Sequence, residues 1–471
     1  MDPLQPLGSP RRPVRVAVVG AGPAGFFTAE ALLKSASPVF DVDVIERLPT
    51  PFGLVRSGVA PDHQQIKSVH KTFEKTAANQ RFRFLGNVEV GRQLSVAELC
   101  AHYDQVVYAI GSAADRRLGV PGEELTGSYA ATAFVGWYNG HPDFVAFPFD
   151  LQHPRVVVVG VGNVALDEAR ILLRSPEELA RTDIAAHAVE ALRKSRVREV
   201  VLLARRGPAQ AAFDVKELRE VAAVPGVRVR LDPTQLAAEA ARLPELDLGT
   251  RRSVEAMLAL AGAEPGAAER TLRLEFLASP TEFLGDESGH LRAVRVERTD
   301  LRPTTDGQVK AVGTGRFFEL EAGAVFRSVG YRGVPLPGLP FDERAGVIPN
   351  LEGRILDGAP PIPGHYAVGW CRRGPTGVIG TNKSDAHAVV ERMVADVPAL
   401  PAAFEDRRTR AAIDALLSSR DARVTTFADW ATLDAVEIAT GRGQGKIREK
   451  FVSVEQMMNH LLRARGEPQG G

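Results

Sequence analysis

The chain has 471 residues, 44% hydrophobic and 25% charged, a globular balance that excludes wholesale disorder. Single cores stop growing beyond about 250–300 residues, so at least two cores, and roughly three domain-sized units, are expected. Lys and Arg (58) balance Asp and Glu (58), which argues against a dedicated nucleic-acid binder, and no apolar run of about 18 residues is present to form a transmembrane helix.

Residues 1–13 hold Pro3, Pro6, Pro10 and Pro13 and lack the apolar stretch of a signal peptide. They are expected to be a flexible tail on a cytoplasmic protein. Residues 14–19 (VRVAVV) form a β-branched apolar run, the pattern of a buried parallel strand. Gly20-Ala21-Gly22-Pro23-Ala24-Gly25 follows, then FFTAEALLKSA with helical apolar spacing, then a strand at 41–45 ending in Glu46. The first glycine permits a tight turn, the second lets backbone approach a pyrophosphate, and the third lets helix and strand pack closely. Glu46 stands where a carboxylate accepts from ribose hydroxyls. Pro23 and Ala24 favour FAD over a nicotinamide nucleotide; a tight structural turn is the alternative.

After Glu46 comes a Gly/Pro-rich run, Pro51-Phe52-Gly53-Leu54-Val55-Arg56-Ser57-Gly58-Val59-Ala60-Pro61-Asp62-His63. It is read as more than a connector, with an ordered surface loop as the alternative.

The same grammar recurs about 140 residues on. A strand at 155–159 leads into Gly160-Val161-Gly162-Asn163-Val164-Ala165, a helix over LDEARILL, a helical insertion around 176–196, and a strand at 198–203. This second strand ends in Ala204-Arg205-Arg206-Gly207 instead of an acidic residue. Alanine at the third glycine position and two guanidiniums at the strand end suit the 2′-phosphate of NADP. A solvated basic turn is the alternative.

Residues 230–275 read as helical, 272–330 as short strands, and 331–365 as a Pro/Gly-rich crossing between domains. Gly369 to Thr381 (GWCRRGPTGVIGT) forms a glycine-rich turn into a strong helix pattern. Such a helix start stabilises the electron-rich pyrimidine edge of a flavin; a structural turn with an ordinary cap is the alternative. Further helices are expected beyond 402. The only cysteines, Cys100 and Cys371, are far apart, so the chain offers no iron–sulfur cluster and no local redox dithiol.

With these motifs in place the sequence resembles the adrenodoxin reductase-like family of ferredoxin–NADP reductases. The segments VVGAGPAGFFTAEALL, PFGLVRSGVAPDHQ, VVGVGNVALDEARILL, LLARRGPAQAAFDVKELRE, FRSVGYRG and GWCRRGPTGVIGTNKSDA carry the resemblance, between residues 16 and 385. It implies an α/β fold with two Rossmann-like dinucleotide-binding domains, the NADP domain (112–331) inserted into a discontinuous FAD domain (1–111 and 332–471). It implies that hydride passes from NADPH to FAD and single electrons pass to an iron–sulfur protein.

By matching motif, Gly20, Gly22, Ala24, Gly25 and Glu46 resemble the FAD pyrophosphate and ribose contacts, and Leu54 a contact beside the flavin. Trp370, Gly377, Val378 and Ile379 resemble isoalloxazine contacts, with Gly377 also near the nicotinamide. Gly160, Gly162, Asn163 and Val164 resemble the NADP pyrophosphate turn, Arg205 and Arg206 the 2′-phosphate clamp, and Glu217 a further nucleotide contact. His63 and Glu220 resemble polar residues near the reactive flavin edge, either moving protons or serving as a structural hydrogen bond. Two departures are Gln64, where proline is frequent, and Asp214-Val215-Lys216, where the family is more neutral; Asp214 would add negative charge near the phosphate site.

The implied partner is a transiently bound, acidic ferredoxin met by a monomer, with Arg251 and Arg252 resembling the basic docking region. No nucleic acid, membrane span or metal is implied. The missing dithiol argues against a disulfide reductase. A quinone or diaphorase-type reductase, an electron-feeding subunit of a stable complex, and a non-catalytic NADP sensor are the competing readings.

Overall fold

A computed structural model describes residues 5–262, 268–305, 309–401 and 407–466. Two parallel-sheet units account for most of the chain. The first is a seven-stranded sheet whose order is Asn350–Leu351, Arg354–Leu356, Pro361–Ala367, Gln105–Tyr108, Val14–Val19, Phe40–Glu46 and Phe82–Gly86. Its strands come from both ends of the chain. The second is a six-stranded sheet, ordered Ser128–Ala130, Ala324–Arg327, Arg155–Val159, Glu199–Leu203, Arg270–Glu275 and Val227–Leu231, built only from the middle.

The apolar runs explain both centres. Every residue of Val14–Val19 is buried, as central parallel strands covered on both faces must be. The helix Pro23–Leu33 packs Phe26 against Phe73 with ring centroids 4.9 Å apart. In the second unit Val156, Val157 and Val158 are fully buried, and the helix Asn163–Leu173 covers them.

A three-stranded antiparallel sheet (Ala278–Gly285, Leu291–Pro303, Val309–Glu321) covers one face of the six-stranded sheet. Between the two units runs a two-stranded ribbon, Ala114–Asp115 paired with Tyr331–Arg332. The chain therefore crosses from one sheet to the other and back along adjacent strands.

Two sequence expectations are corrected. Residues 1–4 of the expected tail lie outside the described residues, but residues 5–13 are not a loose tail. Gly8 exchanges backbone hydrogen bonds with Arg12 and Val39, and Arg12 and Pro13 are buried. The prolines that count against a helix suit this tight turn equally well. At the start of the stretch read as helical, residues 230 and 231 instead close an edge strand, Val227–Leu231 (VRVRL), paired in parallel with Arg270–Glu275. Its alternation buries Val229 and Leu231 and leaves Arg230 outside, a period of two hidden by the helical sequence around it.

Candidate functional site

The first cradle forms where Val14–Val19 ends. Gly20 has φ +107, and a Cβ there would lie 2.5 Å from the Ala109 carbonyl oxygen; one on Gly25 would lie 2.0 Å from the Gly20 carbonyl oxygen. Only glycine fits either place. A Cβ on Gly22 would meet nothing within 4 Å, so the middle glycine faces open space at the start of a helix with no side-chain cap and no acidic residue in its first turn. This is an anion cradle by construction. Glu46 closes it, with Oε2 accepting from the Ala21 N–H at 3.0 Å and Oε1 from the Leu48 N–H at 3.2 Å. Burial pushes its carboxyl above the usual range, opposed by those two N–H groups. Each oxygen keeps a second lone pair for a ribose hydroxyl.

Three further segments reach the same sheet edge. Phe52, at φ +84, donates its N–H to the Ala21 carbonyl at 2.8 Å, which seats Leu54 beside the cradle. Gly369 follows Pro361–Ala367, packs against Ala24, and donates its N–H to Asp385 Oδ2 at 2.6 Å. Trp370 donates Nε1–H to the Thr376 carbonyl at 3.2 Å and lies 5.3 Å from the Tyr331 ring. Gly377, Val378 and Ile379 form the turn into Thr381–Asp396, with the Val378 N–H donated to Thr381 Oγ1. The N–H groups of Ile379 and Gly380 have no partner among the described residues. Leu54 (40%) and Val378 (66%) are among the few exposed large apolar side chains, and both lie on this edge. Free donors beside apolar surface suit a flat ring with one polar edge.

The second cradle repeats the first. Gly160 has φ +129, and a Cβ there would lie 2.2 Å from the Ser328 carbonyl oxygen; Gly162, like Gly22, faces open space. Ala165 is fully buried at the third position. The helix that follows has no side-chain cap, and Asn163 Oδ1 accepts the Asp214 N–H at 2.7 Å, with Val164 half-buried beside it. Arg205 and Arg206 project into solvent just beyond Glu199–Leu203, held only through their carbonyls by Thr299 and Leu277. No carboxylate pairs with either guanidinium among the described residues. Asp214 caps the helix Val215–Ala222 by accepting the Lys216 N–H at 2.8 Å. The departure at Asp214 therefore holds the helix bearing Glu217 and Glu220.

His63 joins the two units. Its Nε2 lies 2.7 Å from Glu220 Oε2 and 3.6 Å from Glu217 Oε2, and its Nδ1 lies 3.8 Å from Asp167 Oδ1. Arg170 completes the cluster, at 2.6 Å from Asp167 and 3.4 Å from Glu217, and it also pairs with Asp62 at 2.8 Å. Burial pushes the Asp167 and Glu217 carboxyls up, with Asp167 adding to the rise at Glu217. Arg170 holds Asp62 below the usual range against its burial. The ligand atoms of His63, Asp167 and Glu217 fall within 4.8 Å of one another, but the Arg170 guanidinium already supplies the positive charge there.

A family model described as pyridine nucleotide-disulphide oxidoreductase matches residues 14–277. NADPH-ferredoxin reductase FprA of Mycobacterium tuberculosis is 46% identical over 464 residues, 95% of this chain and 99% of that protein. The mitochondrial NADPH:adrenodoxin oxidoreductase of Homo sapiens is 46% identical over 457 residues, 95% of this chain and 92% of that protein. The chain belongs to the adrenodoxin reductase-like family of pyridine nucleotide oxidoreductases. The structure of M. tuberculosis FprA in complex with NADPH superposes with a TM-score of 0.91 at 45% identity, covering 96% of this chain and all of that one. A second FprA structure, described as revealing a covalent modification of NADP+, superposes at 0.90.

Within this family frame the structure also brings forward residues that the sequence reading passed over. Arg170, Asp62 and Asp167 belong to the His63 cluster, although nothing in sequence links position 62 to 170. Glu168 is fully buried with neither carboxylate oxygen hydrogen-bonded among the described residues. Its position was legible: 165, 168 and 172 form one helical stripe, and that stripe faces the core. Of the two arginines expected at a docking surface, Arg252 is exposed, and Arg251 donates its guanidinium to the carbonyls of Leu243, Pro244 and Leu246.

Proposed function

We propose that this chain is a FAD-dependent NADPH:ferredoxin oxidoreductase. The observation that carries the reading is the difference between its two cradles. One closes on Glu46, which suits ribose hydroxyls, and the other ends in two unpaired arginines, which suit a 2′-phosphate. Relatives named NADPH-ferredoxin reductase and NADPH:adrenodoxin oxidoreductase, both 46% identical across nearly the whole chain, support the same activity and an iron–sulfur electron carrier as partner.

FAD held by these residues would supply a hydride acceptor that can pass electrons on one at a time. The chain's own residues bind, orient and shield. Gly20, Gly22 and Gly25 present the helix start at Pro23 to the FAD pyrophosphate, Ala24 packs beside them, and Glu46 receives ribose hydroxyls. Leu54, Trp370, Gly377, Val378 and Ile379 hold the isoalloxazine and exclude water. Gly160, Gly162, Asn163 and Val164 hold the NADP pyrophosphate, Arg205 and Arg206 the 2′-phosphate, and Glu217 another nucleotide group. His63 and Glu220, 2.7 Å apart, hold one proton between them beside the flavin edge. Most of the rate comes from fixing two rings in near-attack geometry.

The domains follow the ribbon: FAD domain 1–111 and 332–471, NADP domain 112–331. The carrier is an acidic ferredoxin bound transiently, and the enzyme is a cytoplasmic monomer. NADPH oxidation with ferredoxin and with a quinone, measured on the purified yellow protein, tests the reading. Efficient ferredoxin reduction supports it. A protein without FAD, or one that turns over quinone but not ferredoxin, overturns it.

A further inference from the structure

His63 is the N-cap of a four-residue helix, Gln64–Lys67. A helix this short makes too few internal bonds to fix its own direction, so its orientation is set by whatever its ends are tied to. The residue before the cap, Asp62, pairs with Arg170 and Arg174, and both ends of the helix itself are tied to one further carboxylate of the middle unit. Gln64 Nε2 donates to Asp183 Oδ1 at 3.0 Å. Lys67 Nζ donates to both Asp183 oxygens, at 2.8 and 2.7 Å.

A third tie comes from the C-terminal part of the chain. Lys450 Nζ lies 3.2 Å from Asp183 Oδ2 and donates to the carbonyls of Arg56 and Asn139. The three charged side chains are almost completely excluded from water, at 7% (Lys67), 4% (Asp183) and 1% (Lys450). Burial would raise the Asp183 carboxyl, yet Lys450 and Lys67 together hold it below the usual range. Burial pushes both lysines down, against Asp183. Two ammonium groups on one carboxylate in a dry site leave no solvated alternative if a contact breaks, so this network is stiff and directional.

We propose that Asp183 is the positioning residue for His63: by gripping both ends of the helix that His63 caps, it sets the imidazole against Glu220 and fixes the angle between the two units. The functional half of this inference rests on the reading of His63 beside the flavin edge. Gln64, the departure from the family's frequent proline, belongs to the same device, because a proline there would have no side-chain donor for Asp183.

The test uses the FAD-loaded protein with isotope-labelled histidine, the His63 ring signals being identified by their loss in His63→Gln. Asp183→Asn should shift those signals. It should also slow flavin reduction at saturating NADPH by about tenfold or more, while NADP+ affinity changes less than about twofold. Asp183→Glu should recover part of the rate. Lys67→Met leaves one lysine facing one carboxylate, so it serves as the variant that folds if Asp183→Asn does not, with the same changes in weaker form. Unchanged His63 signals and an unchanged reduction rate in either folded variant, even with a lowered melting temperature, would overturn the inference. If the wild-type flavin is not reduced by NADPH at all, the functional reading fails instead, and the histidine spectra still decide the positioning claim.

Discussion

The two cradles share a backbone and differ at three places. Gly20, Gly22 and Gly25 correspond to Gly160, Gly162 and Ala165. Six residues beyond the middle glycine stand Thr28 in the first and Glu168 in the second. At the end of the second strand stand Glu46 and the pair Arg205 and Arg206. Thr28 is buried and satisfied, its hydroxyl donated to the Ala24 carbonyl at 2.8 Å; Glu168 is buried with no close hydrogen bond among the described residues and the Ser328 side chain as its polar neighbour. In the proposed reading the glycines make a pyrophosphate seat of either kind, while the strand end decides which nucleotide sits there. A single charge reversal at one turn separates an adenine dinucleotide with free ribose hydroxyls from one with a phosphate.

The sharpest way to break this comparison is at the third position. A methyl group at Gly25 would sit 2.0 Å from the Gly20 carbonyl oxygen, whereas Ala165 already occupies the matching place. Gly25→Ala should cost about 3 kcal/mol and give colourless protein, read by flavin absorbance and thermal melting. Ala165→Gly should cost about 1 kcal/mol and leave the protein yellow. Equal effects at the two sites would show that the third position does not distinguish the cradles.

Next in size is nucleotide choice. Each charge-assisted hydrogen bond is worth about 1.5–3 kcal/mol and each tenfold in affinity about 1.4 kcal/mol. Two partly exposed arginines should therefore give NADPH a preference over NADH of roughly two orders of magnitude in kcat/KM. Arg205→Ala with Arg206→Ala should remove most of it, leaving NADH turnover and the rate at saturation nearly unchanged. A double variant that still prefers NADPH would place the clamp elsewhere.

How far the sequence disclosed these regions follows from the range of the interactions. The strand–glycine–helix units were legible because each needs only about 30 contiguous residues, and Arg205 and Arg206 were legible because position along a strand fixes which end they occupy. The loop at 51–63 stood out by composition, but its task, and that of the short helix after it, did not. Its partners Arg170, Asp183 and Lys450 lie more than 100 residues away, and no periodicity announces a contact across two sheets. At Arg251 the place near a helix start was legible, but not its hydrogen bonds to carbonyls five to eight residues earlier.

Glu168 sharpens the comparison at the helix. Burial and the nearby Asp167 push its carboxyl well above the usual range, opposed only in part by the Ser328 side chain. The folded protein thus binds this proton more tightly than the unfolded chain, whose glutamate titrates near about 4.3. Its penalty is absent below that pH and grows as pH rises toward the folded value. Glu168→Gln should stabilise the protein by about 1–2 kcal/mol at neutral pH, and by less at pH 5, in melting experiments. A stability gap that shrinks as pH rises would contradict the assignment.

The smallest effect concerns the surface. Arg252→Glu should raise KM for an acidic ferredoxin about twofold to threefold at low salt and have no effect at high salt. Arg251→Ala should lower thermal stability instead, because it frees three carbonyls. Equal, salt-dependent changes in KM for both would restore Arg251 to the docking surface.

The central claim is that one chain seats both cofactors and brings them into register. Anaerobic rapid mixing of the yellow protein with equal concentrations of NADPH or NADH tests it most directly. The account predicts fast bleaching of the flavin by NADPH, bleaching by NADH slower by roughly two orders of magnitude at subsaturating concentration, and return of the yellow colour when oxidised ferredoxin is added. A flavin that NADPH does not bleach, or that both nucleotides bleach equally, would contradict it.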